Sequence, residues 1–306
     1  MKRKILAILL AVMLMSAGCA ERPSSSASSE SASSAAGSAA EVSEPESSAQ
    51  EVSSAASSSD AAASGGETSS AEGGASSAPE STAVSASVSG ALPESPRAAD
   101  SFFDDAIFIG DSVSLKLNLF TTKTRQTEPN LLGKAQFLTA GSMGSGNALQ
   151  PVSDESIHPL YNGTKMSLAD AVAAAGAKKV YIMLGMNDLA VYGVDGAAAN
   201  METLLKGILE KSPDAKIFVE TATPLVKAKN IAGNKLNNDN MRLYNEKLSE
   251  MCQRNGWYLV DICSAVQDSE GNLNVSYCSD PDDMGIHFTD EGCRVWIDYL
   301  YTHTPQ

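Results

Sequence analysis

The stretch Ala106-Ile-Phe-Ile-Gly-Asp-Ser112 is an apolar run that ends abruptly in residues typical of turns and helix caps. Short, continuous apolar runs are typical of strands that are covered on both faces of a parallel sheet. The pattern therefore predicts a buried strand that delivers Ser112 to the edge of a sheet. A serine hydroxyl becomes a nucleophile only when a base and an oxyanion-stabilising group lie beside it.

Two later segments carry residues that could supply those groups. Leu184-Gly-Met-Asn-Asp188 also ends an apolar run, and Gly285-Ile-His287 lies near the C-terminus. The chain has only three histidines. His158 lies in a polar loop and His303 stands three residues from the C-terminus, so His287 is the strongest candidate base.

Predicted strands alternate with predicted helices along residues 106–301. The strands are Ala106–Ile109, Gln136–Ala140, Lys179–Leu184, Lys216–Thr221 and Trp257–Ile262. The helices are Ser114–Phe120, Leu168–Ala175, Gly196–Lys211, Asn238–Arg254 and Asp290–Tyr301, the last with Thr289 as its N-cap. This order predicts an α/β fold, a three-layer αβα sandwich around a five-stranded parallel sheet. Ligands of such sheets bind at the carboxyl ends of the strands, where Gly110–Ser112, Gly141–Gly144 and Gly185–Asp188 would meet.

The N-terminus has the features of a secretory signal. Lys2, Arg3 and Lys4 precede an apolar run of about eleven residues, which is too short for a permanent transmembrane helix. The following Ser-Ala-Gly-Cys19 resembles the lipobox of bacterial lipoproteins, in which the cysteine is lipidated. We therefore expect a signal peptide over residues 1–18, lipidation at Cys19, and an extracytoplasmic protein anchored to the cell membrane.

Residues 19–98 consist almost entirely of Ser, Ala, Glu, Gly and Pro. The segment has no aromatic residue and no periodic apolar face, so burial cannot offset the entropy of ordering it. We predict a disordered tether over residues 19–98 and a folded domain over residues 99–306.

The formal net charge of −15 argues against a nucleic acid partner. It is compatible with neutral sugars or small esters. Besides Cys19, the chain has Cys252, Cys263, Cys278 and Cys293. Four exported cysteines allow three pairings, and buried free thiols are equally open.

The blocks Gly110-Asp111-Ser112, Gly185-Met186-Asn187-Asp188 and Gly285-Ile286-His287 resemble, in order and spacing, those of the SGNH/GDSL hydrolase family. The resemblance covers essentially the whole predicted domain. It implies a flavodoxin-like αβα sandwich and ester hydrolysis through an acyl-enzyme. It also implies that Ser112 is the nucleophile and that His287 is the general base.

The family normally places an aspartate three residues before the histidine, where this chain has Met284. Asp283 lies one residue further back, and Asp282 and Asp280 are near. We predict Asp283 as the third member of the triad. The alternative is a Ser-His dyad with His287 oriented by a backbone carbonyl.

The resemblance also implies an oxyanion hole built from the Ser112 amide, the Asn187 side chain and a glycine amide. The glycine lies in Ala140-Gly-Ser-Met-Gly-Ser-Gly146, where Gly141 follows the strand directly and Gly144 is the alternative. Asp188 and Asp111 are predicted to be structural.

Together these features predict a membrane-anchored serine esterase that needs neither a metal nor an organic cofactor. The expected substrates are small esters, above all O-acetyl groups of cell-envelope or extracellular carbohydrate. Two alternatives remain at this stage. One is an O-acyltransferase with the same residues, and the other is a catalytically silent carbohydrate-binding protein.

Overall fold

The computed structural model describes residues 88–306. The predicted signal peptide, Cys19 and the tether up to residue 87 lie outside the described residues. Within residues 88–306, no helix is both long and apolar enough to cross a membrane.

The described chain forms seven strands and seven α-helices. The strands are β1 (Ala106–Gly110), β2 (Gln136–Thr139), β3 (Leu160–Tyr161), β4 (Thr164–Lys165), β5 (Lys179–Met183), β6 (Lys216–Glu220) and β7 (Tyr258–Val260). The helices are α1 (Ser112–Thr124), α2 (Ser145–Ala148), α3 (Leu168–Ala175), α4 (Met186–Lys211), α5 (Asn238–Asn255), α6 (Ile262–Val266) and α7 (Asp290–Thr302). Single 3₁₀ turns cover Asp100–Phe103, Lys227–Lys229 and Val275–Tyr277.

Five of the strands form one parallel sheet in the order β2-β1-β5-β6-β7. Counted among themselves they run 2-1-3-4-5, the flavodoxin-like order, so the predicted fold is confirmed. Helices α3, α4 and α5 pack together as one group, and α1 and α6 pack on α7 as another. The chain order reverses between β1 and β5, where Gly110 pairs with Met183 at the carboxyl ends.

An aromatic ladder crosses the whole sheet, with one ring from each strand. Phe137, Phe108, Tyr181, Phe218 and Tyr258 stand at paired register positions on neighbouring strands. The ring centroids of successive pairs are 5.3, 4.7, 4.4 and 4.8 Å apart, and the rings are stacked. Stacked aromatic pairs contribute about 0.5–1.5 kcal/mol beyond the area they bury. The ladder therefore stabilises the pairing register from one edge of the sheet to the other.

Two predicted helices begin earlier than the sequence indicated. Helix α1 starts at Ser112, because the Asp111 side chain accepts a hydrogen bond from the Val113 amide and caps the helix. Helix α4 starts at Met186 rather than Gly196. It is interrupted at Gly193, whose φ of 68° and ψ of −175° are not helical. The apolar periodicity of α4 begins only after this break, which explains the later predicted start.

The predicted tether ends earlier than Ala98, because residues 88–98 pack on the domain. The Leu92 amide donates to the Leu259 carbonyl at 2.8 Å, and Ala91 forms a parallel bridge with Leu259. The Ala98 amide donates to the Tyr301 carbonyl, also at 2.8 Å. These backbone hydrogen bonds order a segment whose composition alone gave no sign of structure.

The four cysteines of the domain are free thiols in this structure. Cys252, Cys278 and Cys293 are buried, and Cys263 is half-buried. Burial raises the pKa of each of the Cys252, Cys263 and Cys293 thiols to about 12, so all three keep their protons at neutral pH. The buried-thiol alternative is the one that the structure supports.

Candidate active site

Ser112 lies at the carboxyl end of β1, as predicted, and is the first residue of α1. The turn between strand and helix requires a glycine at position 110. A Cβ atom on Gly110 would come within 2.0 Å of the Ser114 hydroxyl oxygen and 2.9 Å of the Met183 carbonyl oxygen. Ser112 itself is half-buried.

His287 lies next to Ser112, although 175 positions separate them in the sequence. Its Nε2 atom is 2.9 Å from Ser112 Oγ, and its Nδ1 atom is 2.7 Å from Asp280 Oδ2. An ionised carboxylate only accepts hydrogen bonds, so Nδ1 carries the proton and donates it to Asp280. In neutral His287, Nε2 is then free to accept the proton of Ser112.

Asp280 is fixed by a dense set of hydrogen bonds. Its Oδ1 atom accepts from the amides of Ile286 and His287 at 3.1 and 3.0 Å, and from the Cys278 thiol at 3.2 Å. Burial raises the pKa of Cys278 to about 11, so the thiol remains a donor. Burial pushes the pKa of Asp280 upward, but hydrogen bonds from the His287 side chain and amide outweigh it and leave the pKa lowered. Asp280 is therefore an ionised acceptor with a fixed orientation.

The structure corrects the predicted partner of His287 from Asp283 to Asp280. Asp283 is exposed, and its amide donates to the Asp280 carbonyl at 3.0 Å. The Gly285 amide donates to the same carbonyl at 2.9 Å, and Gly285 has a φ of +71°, in the left-handed region. This tight turn folds Asp280 back over the imidazole and directs Asp283 outward. The alternative Ser-His dyad is also unsupported, because a carboxylate orients the imidazole.

The loop is closed at its base by a feature that the sequence did not reveal. Cys278 and Phe288 form an antiparallel bridge, and the Ser279 amide donates to the His287 carbonyl at 2.8 Å. The bridge brings residues 278 and 288 side by side. Asp280 therefore lies closer to the His287 ring than Asp283 does, although Asp283 is nearer in the sequence. The run of aspartates at positions 280, 282 and 283 was the only sequence signal, and it was ambiguous.

Asn187 lies in the first turn of α4, at the carboxyl end of β5. Its Nδ2 atom donates to the Met143 carbonyl at 3.0 Å and to Asp111 Oδ2 at 3.2 Å. The helix start requires a glycine, because Gly185 has a φ of +143° and a Cβ there would meet the Tyr244 ring at 2.2 Å. Asn187 thus joins the turn after β1 to the loop after β2.

Asp111 connects the nucleophile turn with Asn187. It is buried, and burial raises its pKa to about 6. The hydrogen bond from the Val113 amide and the nearby His287 act in the opposite direction. Its two oxygens accept hydrogen bonds from the Val113 amide and from the Asn187 side chain. This is the supporting role that the sequence predicted.

The loop after β2 is anchored by Asp188. Its two carboxylate oxygens accept from the Ser145 and Gly146 amides, each at 2.8 Å. Burial raises the pKa of Asp188, and the hydrogen bonds from these two amides lower it in part. The carboxylate therefore fastens the start of α2 to the start of α4, which is a structural role.

The two candidate oxyanion glycines differ in their surroundings. Gly144 is buried against the Asp188 carboxylate, and its amide donates to Asn147 Oδ1 at 2.9 Å. Gly141 is exposed, and its amide has no hydrogen-bond acceptor among residues 88–306. Gly141 thus has the amide that is available to a ligand, and its oxyanion role stays a prediction.

Comparison with known proteins agrees with this geometry. Residues 145–295 match the model of the GDSL-like lipase/acylhydrolase family. The folded domain belongs to this family. It is therefore a hydrolase that acts on ester bonds. Asn187, Asp280 and His287 lie inside the matched range, whereas Ser112 precedes it and joins the site through the sheet. No curated protein matches the chain.

Solved structures with a similar fold include three bacterial proteins. A putative acylhydrolase from Bacteroides fragilis is 19% identical with a TM-score of 0.47, covering 68% of this chain and 88% of its own. A protein described as a putative platelet activating factor from Streptococcus pneumonia is 15% identical with a TM-score of 0.47. The match covers 66% of this chain and 88% of that protein. A catalytic mutant of an acetylxylan esterase from Geobacillus stearothermophilus is 14% identical with a TM-score of 0.45. The match covers 68% of this chain and 94% of that protein. These identities are too low to indicate a shared substrate.

We expect Asp280→Asn to lower kcat by about 10⁴-fold, because an amide at this position would force the proton of His287 onto Nε2. Asp283→Asn is the matched control, since Asp283 is exposed on the same loop, and it should leave kcat unchanged. The measurement is steady-state hydrolysis of para-nitrophenyl acetate, with thermal unfolding to show that both variants fold. The reverse pattern, with Asp283→Asn inactive and Asp280→Asn active, would contradict this assignment.

Proposed function

We propose that this esterase uses Ser112, His287 and Asp280 as a catalytic triad to remove small acyl groups from carbohydrate outside the cytoplasm. The observation that carries the proposal is the continuous hydrogen-bond path from Asp280 through His287 to Ser112. Each distance on this path lies within the range of a formed hydrogen bond, and each side chain has the proton arrangement that nucleophilic catalysis needs.

In the acylation step, Ser112 Oγ attacks the carbonyl carbon of the ester while its proton passes to His287 Nε2. The imidazolium that forms is stabilised by the ionised Asp280. His287 then gives the proton to the oxygen of the departing alcohol, and the acyl group remains on Ser112. In the second step, a water loses a proton to His287 and attacks the acyl carbonyl, which releases the carboxylic acid and restores Ser112.

The negative charge on the carbonyl oxygen needs donors that are already in position. We assign this role to the Ser112 amide, the Asn187 side chain and the Gly141 amide. Asn187 is held in place by Met143 and Asp111 in the free protein. When the substrate is bound, one of its two N–H groups would donate to the oxyanion instead of to the Asp111 carboxylate or the Met143 carbonyl. Asp111 would still accept from the Val113 amide and so keep the turn in place.

The surroundings of Ser112 favour a small acyl group such as acetyl. Met143, Met183 and Met186 belong to segments that border the site, and all three side chains are buried in the core. Core side chains of this size leave the segments that border the site closely packed, which favours a small acyl group over a long chain. The expected export of the chain supports an alcohol portion that occurs outside the cytoplasm, namely carbohydrate.

The silent carbohydrate-binding alternative depended on an aspartate that seemed displaced from its expected position. Asp280 supplies the missing carboxylate, so that reason no longer holds. Ester hydrolysis also explains why a carboxylate orients His287 towards Ser112. A protein that only binds carbohydrate would not need this arrangement.

We expect Ser112→Ala to lower the hydrolysis of para-nitrophenyl acetate and of acetylated oligosaccharides by at least about 10⁴-fold. Ser114→Ala is the matched control. Ser114 lies two residues further along α1, and its buried hydroxyl has no hydrogen-bond partner among residues 88–306. This control should keep wild-type activity. Equal activity in wild type and Ser112→Ala would rule out the proposed nucleophile.

We further propose that the enzyme is anchored to the membrane through a lipid on Cys19. Cys19→Ala should move the protein from the membrane fraction to the soluble fraction when the full-length gene is expressed in a bacterial host. Cys263→Ala changes a cysteine of the folded domain and should leave the protein in the membrane fraction. Membrane association that survives Cys19→Ala would contradict the anchor.

A further inference from the structure

A surface cavity of about 420 Å³ lies beside the catalytic loops. Its size falls within the range of about 300–1,000 Å³ that small-molecule sites occupy. Six residues line it: Ala190, Leu225, Lys229, Asn234, Lys235 and Leu236. Apolar side chains and two ammonium groups therefore border one shallow, open cavity.

The cavity borders two segments that carry active-site residues, the loop of His287 and the first turns of α4. On one side, the Val226 amide donates to the Gly285 carbonyl at 3.0 Å, two residues before His287. Gly285 lies so close to Lys229 that an added Cβ would come within 2.6 Å of the lysine Cγ. On the other side, Ala190 follows Asn187 by three residues, or less than one turn of α4. The cavity is therefore bordered by the segments that carry His287 and Asn187.

The two lysines of the cavity have no carboxylate partner. Lys229 Nζ donates to the Asp282 carbonyl at 2.6 Å, and Lys235 Nζ donates to the Val191 carbonyl at 3.4 Å. Neither forms a salt bridge within residues 88–306, whereas the neighbouring Lys227 is paired with Glu270. Each ammonium group has three N–H donors and one acceptor within the described residues, so donors remain for a ligand.

The chain as a whole is acidic, with a formal net charge of −15. Carboxylates outnumber cations, and most lysines and arginines of the described domain are paired with one. The salt bridges include those of Arg97, Lys116, Lys123, Lys178, Lys179, Lys206, Lys211, Arg242, Lys247, Arg254 and Arg294. Lys229 and Lys235 therefore place two ammonium groups without a salt bridge at one cavity, where an anion can accept hydrogen bonds from both.

The position of the cavity indicates which part of an ester would reach it. His287 protonates the departing alcohol, so the alcohol portion of the substrate lies on the His287 side of the site. Lys229 contacts Gly285 on the same loop as His287. The cavity therefore adjoins the alcohol portion rather than the acyl group.

A second cavity, of about 290 Å³, includes Asn238, Asn245 and Cys263 in its lining but neither Ser112 nor His287. Its asparagine side chains are already bonded within the protein. Asn238 Nδ2 donates to the Leu225 carbonyl and to Asn272, and Asn245 exchanges hydrogen bonds with the Ala222 backbone. The lining of that cavity shares no segment with the loop of His287.

We propose that the lysine cavity binds an anionic group on the alcohol portion of the substrate, so that this esterase prefers acylated acidic glycans. The inference rests on the proposed function of the Ser112 site and adds its substrate class. A carboxylate and a phosphate would both accept hydrogen bonds from the two ammonium groups. The shared chemistry is a fixed negative charge a short distance from the acylated hydroxyl.

The first experiment compares two acetyl esters that differ only in charge, para-acetoxybenzoate and para-acetoxybenzamide. For each enzyme we take the ratio of kcat/KM on the anionic ester to that on the neutral ester. Dividing the ratio of a variant by that of wild type cancels the intrinsic reactivity of the two esters. A Lys229→Gln/Lys235→Gln double variant should lower the ratio about tenfold.

Two controls separate charge from folding. A Lys229→Arg/Lys235→Arg double variant keeps both positive charges and should keep the ratio. Lys216→Gln removes an exposed lysine without a salt bridge at the opposite end of β6, and it should leave the ratio and the activity unchanged. Thermal unfolding identifies any variant that does not fold.

Salt provides a test on the wild-type enzyme. Raising the ionic strength from about 0.01 M to about 1 M shortens the Debye length from about 30 Å to about 3 Å. The anionic-to-neutral ratio should therefore fall in wild type and stay flat in the glutamine double variant. A ratio that changes with neither salt nor the double variant would overturn the inference. If, in that case, Ser112→Ala still abolishes hydrolysis of the neutral ester, the proposed function stands and only the substrate class is wrong.

The source of the negative charge is resolved with acetylated oligosaccharides that carry carboxylates, phosphates or no charge. A higher kcat/KM on the carboxylate series indicates an acidic sugar, and a higher value on the phosphate series indicates a phosphorylated glycan. Equal values on all three series would contradict the preference for an anionic substrate.

Discussion

The site depends on the pairing of β1 with β5 at the centre of the sheet. Their register sets Gly110 against Met183, so the turns that follow the two strands leave the same edge side by side. Ser112 stands on one turn and Asn187 on the other. The aromatic ladder fixes this register, because a shift of one residue would separate every stacked ring and move the buried side chains to the opposite face.

The third element of the site is less firmly built into the sheet. His287 belongs to a loop whose base is the bridge between Cys278 and Phe288, and its geometry is defined by the hydrogen bonds that converge on Asp280. Three acidic side chains, Asp111, Asp188 and Glu220, are buried in the domain at an energetic cost. Burial raises the pKa of Asp111 to about 6 and that of Glu220 to about 8, and it also raises the pKa of Asp188. Their hydrogen bonds to Val113, Trp296, Ser145 and Gly146 offset part of that cost.

Much of this arrangement could be predicted from the sequence. The apolar runs predicted the strands of the sheet. Because ligands bind at the carboxyl ends of parallel strands, the sequence also predicted that Ser112 and Asn187 lie close together. The partner of His287 could not be predicted, because it depends on a turn and a bridge that carry no periodic signal. Residues 88–98 were also misjudged, since their order comes from hydrogen bonds to Leu259 and Tyr301 rather than from their own composition. The start of α4 was missed because the break at Gly193 hides its first turns.

The central claim is that Asp280 and His287 activate the hydroxyl of Ser112. The most direct measurement is covalent labelling of the purified protein with a fluorophosphonate, followed by peptide mass mapping. The account predicts one phosphonyl group per chain, located on Ser112, and much slower labelling of a His287→Ala variant. Labelling at a different residue, or an equal rate in the absence of His287, would contradict it.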